Sequence, residues 1–430
     1  IHNVFIGYHS GGGTWANAES NYNVGVGSYT LDAALNGALN NIGIGYAALS
    51  KVTSGDNNVA IGHQAGPNIT TAGENTLIGS EVGYDLTGIE SVIIGTRAGY
   101  NIAGGNGNTI IGRRALYTST AASDCVAIGK QAMMAGSATG TGTIAIGKST
   151  LNNISTGTGN TAIGHETMEA MTVGISNVAV GYGSLATEVE GQYNTAIGYN
   201  ALRDQNAGGS DGTSTTTANT GVGWRAGYQL TTGTNNTFLG RSAGDVVETG
   251  TNNVIIGSLS DPSANNGTNQ IVIGYNTTGT GDNSVVLGNS SVTDVYMAED
   301  SSATVHASDG EFIKNTDGVT QALLLANNQA AAASSLNEAV QILFGLSSQN
   351  DSGVIRVGKD EDYTSVGATS SFMSFYTKAD GTTSEVMRFR KHIGLGIGTT
   401  NPKTHLDVQS YQADGITIGA DNDANRTRTN

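Results

Sequence analysis

The 430-residue chain carries Gly at 63 positions and Pro at three. That pairing excludes collagen, which needs Gly at every third residue, and suits a fold built from tight β-turns. A formal net charge of −16 with only 13% charged residues argues against nucleic acid or an anionic membrane surface as a partner, and the single cysteine, Cys125, excludes an internal disulfide.

Ile1 stands immediately before the first copy of a repeat, so the expectation is that the chain was cut or processed ahead of it. No run of 18 apolar residues occurs that would cross a bilayer as a helix. From there a five-residue pattern returns seventeen times: Asn or another small polar residue, Val/Ile/Thr, an apolar residue, Ile/Val/Leu, then Gly. Its glycines are Gly7, Gly27, Gly45, Gly62, Gly79, Gly95, Gly112, Gly129, Gly147, Gly164, Gly181, Gly198, Gly223, Gly240, Gly257, Gly274 and Gly288. Self-similarity at a short period predicts a solenoid, here a shaft over residues 1–288 of about 17 coils. At about 4.8 Å per coil it would be on the order of 80 Å long.

Within one unit, Asn58-Val59-Ala60-Ile61-Gly62, alternation places Val59 and Ile61 on one face of a strand and Ala60 on the other. The Val59 and Ile61 rows are read as the interior ladder. The middle residue is never polar in any copy, and a strand apolar on both faces is normally buried on both. The middle row is therefore expected to pack against other copies of the chain, with Phe5, Ala60, Ile93, Ile110, Ala162, Ala179, Ala196, Phe238 and Ile255 as candidate oligomer-interface residues; the alternative is a monomer with an apolar flank. The Asn that opens twelve copies is expected to form a ladder, and the glycine to turn a corner at positive φ or close backbone approach. Cys125 occupies an Asn slot and reads as a tolerated small residue.

Two intervals, Gly7 to Gly27 and Gly198 to Gly223, exceed the period and predict loops bulging from one side. Directly after the glycines runs a row that includes Tyr8, Tyr46, His63, Arg113, Lys130, Lys148, His165, Tyr182, Tyr199, Trp224, Arg241 and Tyr275. Five residues after the glycines sit Tyr84, Tyr100, Tyr117 and Tyr228. These side chains either stack on sugars and pair with acidic groups or cover the corner by packing on each other. Tyr182, Tyr199, Trp224 and Tyr228 are the candidate ligand contacts.

Residues 289–319 are irregular and acidic and read as a neck or linker. Between 320 and 400, apolar runs at 322–325, 339–346, 353–357, 372–377 and 386–390 predict a small β-sandwich; the run 330–335 could open a short helix instead. Residues 401–430 end in a polar stretch and read as the start of a further module, cut short.

The Asn-Val-Ala-Ile-Gly units resemble the head repeats of trimeric autotransporter (YadA-type) adhesins, a left-handed parallel β-roll, although the spacing here is longer. Leu395-Gly396-Ile397-Gly398-Thr399-Thr400-Asn401-Pro402, with Asp360-Glu361-Asp362-Tyr363 and Ser384-Glu385-Val386-Met387-Arg388, resembles the distal part of bacteriophage tail fibres, where such modules commonly precede an endosialidase-type chaperone. Both resemblances imply a parallel homotrimer.

Other chemistry finds little support. Asp360, Glu361 and Asp362 read as a solvated turn rather than paired catalytic carboxylates. His63 and His165, six coils apart, are too distant to share a metal, and His405 stands alone. No metal-ligand spacing, nucleophile elbow or phosphate loop occurs. The expectation is thus a non-enzymatic virion tail fibre without cofactor, extracellular, binding a host-surface glycan or protein and joined to other tail or baseplate proteins. A bacterial surface adhesin is the alternative, and a β-solenoid glycan-degrading enzyme a weaker one.

Overall fold

The computed structural model describes residues 2–14, 19–134, 140–206, 215–293, 295, 339–345, 352–359, 371–379, 382–390, 394–400 and 405–408. It divides into two compact units, Ile1–Tyr296 and Met297–Asn430.

In the first unit, seventeen three-residue strands, one ahead of each repeat glycine from Val4–Ile6 to Val285–Leu287, form one parallel sheet. The unit is a parallel β-solenoid. Pairing is in strict register: Ala60 lies opposite Gly43 and Leu77, and Ile61 opposite Ile44 and Ile78. Three residues per strand suffice because each donates and accepts along the stack rather than within its own coil. The long interval after Gly198 adds a second short parallel pairing, Gly191–Gln192 with Thr215–Thr216.

The phase of the coil is opposite to the expected one. The middle residue of the strand, not its flanks, points inward: Ala60, Ile93, Ile110, Ala162, Ala179, Ala196, Phe238 and Ile255 are all fully buried within a single chain, and Phe5 packs on the edge of the same core. Of the nine candidate interface residues, only Phe5, in the first coil, is partly exposed. The cause lies after the glycine, where the chain folds back across one face of the strand. It delivers a second core row four residues on (Leu49, Leu116, Met133, Leu151, Met168, Leu185, Leu202) and a third about seven residues on (Val52, Ile69, Leu86, Ile102, Ile154, Met171, Leu230, Val247), all buried. Core volume is shared between rows. At five Ala-centred strands (Ala127, Ala145, Ala162, Ala179, Ala196), the residue four after the glycine is Met133, Leu151, Met168, Leu185 or Leu202; at Ala60 it is Gly66, whose space Leu77 and Ile69 fill. Where the centre is Leu77, Ile93 or Phe238, that residue is Gly83, Gly99 or Gly244, and an added Cβ would press on the large side chain. Close packing favours such an exchange, although Ile110 and Leu116 are both large and both buried in one coil.

The asparagines form the expected ladder, and it is buried. Asn58 Nδ2 donates to Asn41 Oδ1 at 3.0 Å and to the Ala72 carbonyl at 2.9 Å, while the Asn75 backbone N–H donates to Asn58 Oδ1 at 3.2 Å. The same arrangement recurs at Asn177, Asn194, Asn236 and Asn253. Each amide therefore satisfies its own polar atoms while tying three coils together. Cys125 occupies one rung: Asn108 Oδ1 accepts its backbone N–H at 3.0 Å, and its Sγ lies 3.3 Å from the Gly140 carbonyl. Burial pushes its thiol pKa up. The repeat glycines meet both expected requirements. Gly27 has φ +131°, and a Cβ there would sit 2.5 Å from the Gly45 carbonyl oxygen.

The third core row turns polar where the insertion begins. Glu188, fully buried, accepts the backbone N–H groups of Val189, Glu190 and Gly191 at one carboxylate oxygen and the Gln205 amide at 2.8 Å at the other. Gln205 in turn accepts from Asn219 at 3.2 Å.

The second unit is a separate six-stranded sheet in the order Ala339–Gly345, Ser352–Lys359, Ser371–Ala379, Thr382–Arg390, Gly394–Ile397, Leu406–Val408. Neighbours are antiparallel except the last pair, which is parallel. Where a sandwich was expected, the described residues form one mixed sheet, because consecutive hairpins pair with their sequence neighbours instead of crossing to a second layer. A register shift opposite Phe375/Tyr376 leaves Val386 without a paired residue. It lets Glu385 and Arg388 meet as a bidentate pair at 2.6 Å, with Tyr376 Oη donating to the same carboxylate at 2.9 Å. The neck over 296–319, the runs 322–325 and 330–335, the cluster Asp360, Glu361 and Asp362, and the segment 409–430 lie outside the described residues.

Candidate binding surface

Two surfaces of the solenoid carry side chains that the coil itself does not consume. The first is the outer face of the sheet. With the middle row turned inward, the residues one and three before each glycine face outward. They are Val, Ile, Leu or Thr in every copy, with no charge along the whole ladder. Ile61 is 38% exposed, Ile197 40% and Leu239 46%, and no member of the two rows is buried. The face expected in the interior is thus the one turned outward.

The second surface is the corner that follows the glycine. The residue two beyond it adopts the left-handed region: φ is +51° at Gln64, +55° at Arg97 and +56° at Arg114 and Arg225. Its amide is thereby aimed along the stack, as in Gln64 N–H to the Tyr46 carbonyl at 2.8 Å. Side chains one residue after the glycine consequently stack coil upon coil. Tyr46 lies on His63 with centroids 5.4 Å apart, and Tyr182 on Tyr199 at 5.2 Å with planes 12° apart; Trp224 continues the latter stack at 6.5 Å. A parallel column five residues after the glycine stacks Tyr84, Tyr100 and Tyr117 at 4.8 and 5.3 Å.

The four candidate ligand contacts are therefore brought together. Tyr182, Tyr199 and Trp224 form one stack, and Tyr228 lies beside it beneath the Arg225 guanidinium at 4.0 Å. Their faces are largely taken: by one another, and at Trp224 by Arg225 and Arg241 at 5.1 and 5.4 Å. What reaches solvent is ring edges and hydroxyls, with Tyr182 42% and Tyr199 47% exposed. The arrangement favours the packing alternative over sugar stacking on ring faces.

Cations concentrate on the same corner. Of the nine Lys and Arg residues between positions 1 and 296, all except Lys51 fall one, two or five residues after a repeat glycine. Arg97 is paired with Glu81 at 2.6 Å and Arg203 with Asp204 at 2.8 Å. Histidines do not gather: His63 stacks on Tyr46, and His165 lies 3.4 Å from Glu166. Among the described residues no group of three or more His, Cys, Asp or Glu is placed to hold a metal ion, and no helix is long and apolar enough to cross a membrane.

Comparison of the chain with family models, with curated proteins and with solved structures found no match.

Proposed function

We propose that this chain is a structural fibre protein, the shaft and distal part of a virion tail fibre, whose parallel copies associate through the outer sheet face and present host-receptor-binding surfaces. One observation carries the reading: an outer face of Val, Ile, Leu and Thr without a charge over seventeen strands. Taken as about 80 Å by 10 Å, it offers roughly 800 Å² per chain, the share of a standard stable interface. It is larger than the patch a soluble monomer ordinarily leaves exposed, about 300–600 Å². A second copy in the same orientation offers the same rows at the same spacing, so rotation about an axis parallel to the stack covers the face of every chain at once.

The number three comes from the resemblance to trimeric head repeats, and the assignment to a virion from the resemblance of 384–388 and 395–402 to distal tail-fibre modules. Immunogold labelling with an antibody raised against the solenoid unit tests the placement. Gold on virion tails supports the fibre. Gold confined to the bacterial envelope would replace it with a surface adhesin.

A further inference from the structure

The corner of four successive coils, those of Gly95, Gly112, Gly129 and Gly147, holds Arg97, Arg113, Arg114, Lys130 and Lys148 and no acidic residue. Acids return on either side: Glu81 and Asp85 in the coil of Gly79, Glu166 and Glu169 in that of Gly164. Glu81 is consumed by Arg97, and Glu166 by His165 and the Tyr182 hydroxyl at 3.4 Å. Arg113, Lys130 and Lys148 occupy the same position in three consecutive coils, are exposed, and have no carboxylate partner among the described residues. In-register pairing of the strands Thr109–Ile111, Val126–Ile128 and Ile144–Ile146 sets their backbones one coil apart, about 4.8 Å. Like charges on successive coils repel one another, a cost that a bound anion relieves. Three unpaired cations in successive coils of a net negative chain make this stretch of the corner the one suited to an anion.

We infer that this column binds a linear acidic glycan lying along the solenoid axis. Its charges are spaced regularly on a rigid support, so a chain with spaced carboxylates meets them without ordering the protein. Between the cations the corner offers neutral hydrogen-bonding groups, Gln131, Ser149 and the Tyr117 hydroxyl, suited to sugar hydroxyls rather than to a continuous run of phosphates. The column is one residue wide and flanked by an acidic rod, which disfavours a duplex nucleic acid or a flat anionic membrane. The other cationic cluster, Arg203, Arg225 and Arg241, is a weaker candidate because its guanidinium groups lie on Tyr228 and Trp224 or pair with Asp204.

The inference deepens the receptor-binding reading and rests on it only for its biological setting. The test is fluorescence anisotropy of the full chain with labelled oligogalacturonate, alongside a neutral dextran oligomer, a single-stranded DNA 20-mer and anionic phosphatidylglycerol vesicles. Expected are salt-sensitive binding of oligogalacturonate, none of dextran, and at least about 10-fold weaker binding by the Arg113→Gln/Lys130→Gln/Lys148→Gln variant. Lys51→Gln, away from the corner, should bind as the wild type does. Absence of oligogalacturonate binding at low salt, or an unchanged affinity in the triple variant, overturns the site. Tighter binding of DNA or vesicles, lost in that variant, overturns the glycan assignment. Light scattering on the same samples reports assembly separately, so failure of the fibre reading and failure of the glycan site remain distinguishable.

Discussion

Cys125 is one of the rungs, with Ser91, Thr143 and Ser284, where the column lacks a side-chain amide. Its neighbours show what an amide would do there: donate to the Gly140 carbonyl, as Asn108 donates to that of Ala122 at 2.8 Å, and accept the Thr143 backbone N–H. Cys125→Asn should therefore stabilise the solenoid by about 1 kcal/mol, read as a raised Tm; a lowered Tm would mean that the slot is sized for sulfur. Asp261 stands where most other coils place Leu, Met or Gly, four residues after Gly257, and one of its carboxylate oxygens is buried without a hydrogen-bond partner. Burial first, then the charge of Asp245, pushes its pKa up from 3.8 to about 6, against a hydrogen bond from the Val246 backbone. A carboxyl whose pKa is raised by folding favours the fold while protonated and disfavours it once ionised. Stability is thus expected to fall as pH rises from about 4 to 6 and then level off. Asp261→Asn should raise Tm at pH 7 and leave it nearly unchanged at pH 4; equal shifts at both would disprove the linkage.

At the scale of the strand and its coil, period was legible from the amino-acid order and phase was not. Glycine spacing and the Val-x-Ile alternation located every strand of the ladder, and the Asn column followed from its recurrence. Alternation is symmetric, however: it separates two faces without saying which one the returning chain covers. The deciding signal lay outside the five-residue motif, in the exchange of volume between the strand centre and the residue four after the glycine. Ala162 with Met168 and Phe238 with Gly244 make sense only if both positions share one interior. The candidate interface at Ala60, Ala162 and Ala179 failed for this reason, while the inference that both faces are apolar held. Phe238 tests the exchange. Gly227 and Gly244 leave no side chain able to fill its space, so Phe238→Ala should cost about 3–5 kcal/mol, measured by denaturant unfolding. A cost below about 1 kcal/mol would mean that the coil collapses around the cavity. In the second unit the hairpin strands were visible as apolar runs, but the register shift that unites Glu385 with Arg388 leaves no mark in composition.

The whole solenoid turns one sheet face inward and leaves the other, uncharged from Val4 to Leu287, at least partly exposed. That second face is the basis of the fibre reading. Its most direct test is the mass in solution of the Ile163→Asp/Ile197→Asp variant beside the wild type, by sedimentation equilibrium. Both side chains face outward, so the coil should keep its β signature in circular dichroism, while unpaired charge at a covered face costs several kcal/mol per copy. The account predicts three times the 43.7 kDa chain mass for the wild type and the single-chain mass for the folded variant. A monomeric wild type, or a variant that keeps the assembled mass, would contradict it.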